Sequence, residues 1–283
     1  MTPPVRVRRS LLFVPAVRPD RYPKALATGT DAVCLDLEDG VGPGAKDQAR
    51  SSALALFAER TPTRAEVSLR INDPTTDLGL RDLEEIMTSG DRPDALMLPK
   101  VSGPDDIRTV ETILGSDGDE LPLIVQIETA RGVAAVMEIG AASANVSALF
   151  FGAIDLSADI GCAVEWDSLL YARSRVVLAA AVAGVSALDS PFMDVPGLES
   201  LREESVRTRR LGFVGKAAIH PTQVSVIQEA FSPTADEVAW ARKIVRAYDT
   251  NEGGVLLVDG QLIERPVVRA AQRMLQIPTA ADS

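Results

Sequence analysis

Acids recur in this chain where buried strands should end. In LIVQIETARG, Leu123 to Gly132, an apolar run leads straight into Glu128, and FGAIDLS does the same with Asp155. A carboxylate so placed must be paired, hydrated or bound to a cation, because an isolated buried charge is too costly to keep. Two carboxylates converging from neighbouring strands, with no His or Cys cluster beside them, suit a hard ion that takes oxygen ligands and keeps several waters, which means Mg2+ rather than zinc. The plain alternatives are a pair of helix caps, or ion pairs with Arg70 or Arg131. Arg70, in LRIN, fixes a planar guanidinium on a strand, a good partner for a carboxylate or an enolate oxygen. It is equally a salt-bridge partner for Asp36 or Glu38. Lys100, in LPKV, has the chemistry of a Schiff-base lysine, yet a neighbouring metal site makes that redundant, and it reads as a structural ion-pair partner. The one histidine, His220, is followed by a proline and reads first as a structural donor. Neither G-x-G-x-x-G nor G-x-x-x-x-G-K-[ST] occurs, which removes nicotinamide and P-loop chemistry.

These residues need elements to hold them. Short apolar runs recur at intervals of roughly 25 to 35 residues, each followed by helical periodicity, the pattern of repeated βα units. The runs are SLLFVPA, DAVCLDLED, AEVSLRIN, DALMLPK, LPLIVQIE, VSALFFGAID, VSALDSP and GKAAIH. Eight such units predict a (β/α)8 TIM barrel, in which loops after the strands build the active site. Polar groups mark every predicted strand end: Arg18; Asp36, Glu38 and Asp39; Arg70 and Asn72; Lys100; Glu128 and Arg131; Asp155; Asp189; His220. Helices are expected over 44–59, 167–183 and 196–211. No linker divides residues 8–231, which are read as one barrel domain. Residues 232–283 read as an extension: an amphipathic helix opening at Pro233, a two-stranded ribbon around VDGQ, and a helix started by Pro266.

Of the 283 residues 46% are hydrophobic, enough for a large core, and the net charge of −11 lacks the basic face that nucleic acid requires. The two cysteines, Cys34 and Cys162, lie in apolar runs and read as buried thiols in a reducing compartment, so a cytoplasmic protein is expected. The N-terminal apolar run is too short for a signal peptide, and no run approaches the ~20 apolar residues of a membrane span.

The segments RRSLLFVPAVRPDRYPKAL, DAVCLDLEDGV, SLRIN, MLPKV, IETARG, FGAIDLS, LDSPF, AAIHPTQ and GQLIERPVV occur in order along residues 8–275. Together they resemble the citrate lyase β-subunit branch of the HpcH/HpaI aldolase and citrate lyase family, with its malyl-CoA and citramalyl-CoA lyases. The resemblance implies a TIM barrel, trimeric or a dimer of trimers, with a Mg2+-dependent carbon–carbon lyase site acting on a CoA or acyl-carrier thioester. It implies Glu128 and Asp155 as the Mg2+ ligands and Arg70 as the arginine at the acyl oxygen. Asp36, Glu38 and Asp39 resemble the acidic residues that hold metal-bound waters, and Arg18 is similar to a residue near the CoA phosphates. In related lyases the tail of one subunit closes over the next subunit's site, which makes Glu264 a candidate acid/base delivered in trans. Two departures stand out. Ile154-Asp155-Leu156 replaces the usual Glu-Asp-Leu, and Ile263-Glu264-Arg265-Pro266 carries Glu where relatives commonly carry Asp. The competing expectations are a thioesterase, an aldolase of free hydroxy-oxo acids, and a non-catalytic subunit of a lyase complex.

Overall fold

Eight short parallel strands alternate with helices and close on themselves. The computed structural model describes residues 6–115, 121–251 and 255–279. The strands are β1 (Ser10–Pro15), β2 (Ala32–Asp36), β3 (Glu66–Arg70), β4 (Ala95–Leu98), β5 (Leu123–Ile127), β6 (Val146–Phe151), β7 (Ser186–Asp189) and β8 (Gly215–Ala218). Each pairs with its successor, and β8 returns to β1 through Ser10–Lys216 to Leu12–Ala218, so the barrel itself has no open edge. This is the predicted TIM barrel, with all eight strands inside the predicted runs.

Strands covered on both faces read as near-continuous apolar sequence, because inward and outward side chains alike leave water. In β2, Ala32 and Cys34 join the barrel interior with Leu11, Met97, Ile124, Phe150 and Leu188. Ala95, Ala148 and Ala217 supply the small residues that let these larger ones interdigitate. Near the upper end of the interior, Phe13 meets Phe150 edge to face, with ring centroids 6.0 Å apart.

Local rules set the helix limits. Predicted helix 44–59 is Lys46–Glu59 behind a single turn at Pro43–Ala45, 167–183 is Trp166–Ala183, and 196–211 is Leu198–Leu211. Helix Asp77–Ser89 begins at Thr76, whose hydroxyl accepts the Gly79 N–H, and stops at Gly90, where φ is 77°. Cys34 is buried as expected, but Cys162 is only half-buried, because it follows the left-handed glycine that ends helix Ala153–Ile160.

The chain forms two compact units, Met1–Ile227 and Gln228–Ser283, dividing inside the helix Pro221–Phe231. In the second, helix Ala235–Asp249 opens two residues after Pro233, because Thr234 takes the cap position and closes a capping box with Glu237. The ribbon is present as β9 (Leu256–Val258) and β10 (Gln261–Ile263), turned by Asp259 and Gly260 at φ 51° and 79°. Its inner residues Val258 and Ile263 pack with Ala241, Ile244, Val268 and Ala271. Among the described residues, no helix is long and apolar enough to cross a membrane.

Candidate active site

A cavity of about 760 Å³ opens at the C-terminal ends of the strands, and every residue lining it belongs to the first unit. Arg18, Asp36, Asp39, Arg70, Asp155 and His220 supply part of its polar wall, and Phe13, Phe150, Ile154 and Met193 part of its apolar one. The volume lies in the range of sites for small organic ligands.

Arg70 ends β3 with its guanidinium locked from two sides. Nε and Nη2 donate to Asp36 Oδ1 and Oδ2, each at 2.7 Å, a bidentate fork that fixes the plane of the group. Nη1 lies 2.9 Å from Glu38 Oε2, and the Phe13 ring sits beneath the charge at 4.8 Å. Asp36 also accepts the backbone N–H groups of Glu38 and Gly40. Burial alone would raise its pKa, but Arg70 and these hydrogen bonds hold it below the usual carboxylate range. Glu38 has no such set of donors: burial pushes it up to about 8 despite Arg70 and Lys100, with Glu128 and Asp39 adding to the rise.

Glu128 follows β5 and is fully buried. Its Oε1 accepts the Lys100 N–H at 2.9 Å, and its Oε2 accepts Gln126 Nε2. The close approach of β6 depends on Gly152, where a Cβ would lie 2.5 Å from Glu128 Cβ and 2.6 Å from its Oε2. Burial raises the Glu128 pKa, and the nearby Asp155 charge adds to the rise. Asp155 is not at the strand end itself but in the first turn of helix Ala153–Ile160, where the helix dipole favours an acid.

Lys100 occupies the middle of this group. Its Nζ bonds Asp155 Oδ1 and lies 3.4 Å from Glu128 Oε1 and 3.8 Å from Glu38 Oε1. Burial works against its charge, but the three carboxylates outweigh that and raise its pKa. Its backbone is left-handed at φ 56°, which costs a non-glycine residue about 1–2 kcal/mol.

The donor set fits Mg2+. Carboxylate oxygens of Glu128 and Asp155 already converge on one cation, and the buried Gln126 Oε1 beside them has no partner. Among the described residues no three His, Cys, Asp or Glu side chains form a closed cage. Two carboxylates with the remaining positions left to water suit an ion that dehydrates reluctantly.

Other predicted site residues stand apart from this centre. Arg18 is half exposed at the cavity wall and paired with Asp20 at 2.9 and 3.0 Å. His220 lines the wall with Nδ1 2.9 Å from the Thr222 hydroxyl, and Asp39 is exposed there. Asn72 is removed from the set, because both its backbone N–H and its amide donate to buried Asp82. Asp189 is removed too, since Arg173 and Lys216 hold it inside the protein. Glu264 belongs to the second unit, exposed at the residue before helix Arg265–Met274. Gln126 and Gly152 also shape the site, one donating to Glu128 and the other leaving room for it. Their signals were a polar residue two positions before Glu128, hence on the same strand face, and a glycine where a strand passes directly into a helix.

Fold and site define a (β/α)8 enzyme whose strand ends gather carboxylates around a fixed arginine. Residues 9–221 match the HpcH/HpaI aldolase/citrate lyase family, and the chain belongs to it. It is a carbon–carbon lyase. The L-malyl-CoA/beta-methylmalyl-CoA lyase of Cereibacter sphaeroides is 32% identical over 95% of this chain and 94% of its own length. The mitochondrial citramalyl-CoA lyase of Rattus norvegicus is 30% identical over 96% of this chain and 86% of its own. Among solved structures, CitE of Mycobacterium tuberculosis, in complex with magnesium, acetoacetate and coenzyme A, is 33% identical with a TM-score of 0.80, covering 94% of this chain and 96% of that one. RipC of Yersinia pestis is 38% identical with a TM-score of 0.73, over 83% of this chain and 99% of that one.

Proposed function

We propose that this protein cleaves, or in reverse forms, a 3-hydroxy-acyl thioester bearing a carboxylate on its hydroxyl carbon, giving a 2-oxo acid and an acyl thioester. The observation that carries this reading is the convergence of Glu128, Asp155 and Arg70 beside one cavity. Relatives named for malyl-CoA and citramalyl-CoA, and a neighbour holding magnesium and coenzyme A, support it. Glu128 and Asp155 would hold Mg2+, which would supply Lewis-acid polarisation of substrate oxygens.

The chain's own residues do the rest. As the bond between the hydroxyl-bearing carbon and its neighbour breaks, its electron pair passes into the thioester as an enolate, the hydroxyl proton passes to solvent water, and the hydroxyl carbon becomes the carbonyl of the 2-oxo acid. Arg70 presents a fixed positive charge to that enolate oxygen, charge that exists only along the reaction path, where preorganised groups help most. Asp36 and Phe13 keep the guanidinium from turning, and Glu38 and Asp39 hold ordered water around the ligands. Glu264, brought from the tail of a neighbouring subunit of a trimer or hexamer, protonates the enolate carbon.

The test incubates the purified protein and Mg2+ with malyl-, citramalyl- and citryl-thioesters on CoA and on an acyl carrier. Free oxo acid and free thiol are measured separately. Oxo acid without thiol is expected, whereas thiol alone identifies a thioesterase, and silence on every substrate defeats the catalytic reading. For Glu264, inactive Glu264→Gln and Arg70→Ala chains are mixed, and activity should partly return once subunits exchange. No recovery after exchange verified by mass rules out delivery in trans.

A further inference from the structure

The Lys100 ammonium stands where the two proposed ion ligands meet, touching Asp155 and lying 3.4 Å from Glu128. Asp155 lines the cavity, but Glu128 does not and is fully covered, with Lys100, Gln126 and Gly152 closing around its carboxylate. Gln126 and Gly152, which touch Glu128, line the cavity with Asp155, whereas the ammonium stands between the two carboxylates, where an ion held by both would sit. The Lys100 backbone is held in place: its N–H donates to Glu128 Oε1, and its carbonyl accepts the Ser102 hydroxyl. Its side chain, about a quarter exposed on a flexible four-carbon stem, is the part able to move.

We infer that Lys100 is an internal counter-cation, which holds Glu128 and Asp155 in ligand arrangement without the ion and swings aside when the ion takes its place. This rests on the Mg2+ reading above. An ion held by both carboxylates would need the lone pairs that the ammonium engages, and the two positive charges would repel. Ion affinity is therefore set by a competition within the protein. Lys100 acts on the ligands, not on substrate, and is a positioning residue.

The experiment titrates Mg2+ calorimetrically into the wild type and Lys100→Met, and records thermal unfolding with and without the ion. Lys100→Met should bind Mg2+ at least about tenfold more tightly, as expected if the ion-accessible arrangement of the wild type is populated no more than about a tenth of the time. Without the ion the variant should melt below the wild type, and saturating Mg2+ should narrow the gap. Should the variant not fold, the wild type decides: amine acylation followed by mass spectrometry should label Lys100 faster with saturating Mg2+ than without it. Unchanged or weaker affinity in folded Lys100→Met, or labelling unaltered or slowed by the ion, overturns the inference. A folded wild type that binds no Mg2+ overturns the metal reading as well, a result distinct from unaltered binding.

Discussion

Two buried acidic groups in this barrel look alike in sequence and differ in kind. Asp189, at the end of β7, has both oxygens matched: Oδ1 accepts Arg173 Nε at 3.0 Å, and Oδ2 accepts Lys216 Nζ at 2.7 Å and the Thr208 hydroxyl at 3.3 Å. Lys216 is balanced further by Glu204 at 2.7 Å. Burial would raise the Asp189 pKa, but the two cations hold it down. Around Lys100, three carboxylates share one ammonium, and Glu38 and Glu128 are pushed up instead. A buried acid with its own full set of donors is architecture. Acids left short of positive charge beside a cavity are available for a cation and for chemistry.

Substitutions should separate the two groups, the largest effects coming from the ion ligands. Glu128→Ala or Asp155→Ala should bring Mg2+-dependent cleavage to background; the half-buried Asp155→Ala should melt close to the wild type, whereas Glu128→Ala, which leaves the Lys100 N–H and the buried Gln126 amide without their acceptor, should melt lower. Undiminished activity and ion affinity in either variant would return these acids to a purely structural role. Arg70→Lys keeps a charge but loses the fork, and kcat should fall by about two orders of magnitude, the loss typical of one oxyanion donor. A near-wild-type kcat would make Arg70 a partner of Asp36 and nothing more.

Asp189→Asn should show the reverse pattern. Leaving Arg173 and Lys216 without their anion should destabilise the fold by about 3–5 kcal/mol in urea unfolding, with kcat of the folded enzyme unchanged. The pH dependence has a definite sign. Because the folded pKa of Asp189 is depressed, its stabilisation is complete above the ordinary carboxylate value and is lost as pH falls through the folded one. The gap between wild type and Asp189→Asn should therefore shrink below about pH 4, and a gap that widens there would contradict the assignment. Arg18→Ala should do least, leaving kcat unaltered and raising KM by less than about tenfold, because its pair with Asp20 is open to solvent.

The sequence by itself determined the barrel, because strands buried on both faces must be apolar throughout and helices between them must show a period near 3.6, and both patterns stand in the chain. It also brought Glu128, Asp155 and Arg70 forward, since a charged residue at the end of an apolar run is conspicuous. Pattern could not tell Asp189 from Glu128: both are acids at strand ends, and their difference lies in cations supplied from residues 173 and 216 in one case and shared from residue 100 in the other. Nor does LPKV reveal that Lys100 takes a left-handed backbone and turns its ammonium between neighbouring strand ends. Those facts are distances between residues far apart in the chain, and only closure of the barrel brings them within the few ångströms over which charges pair.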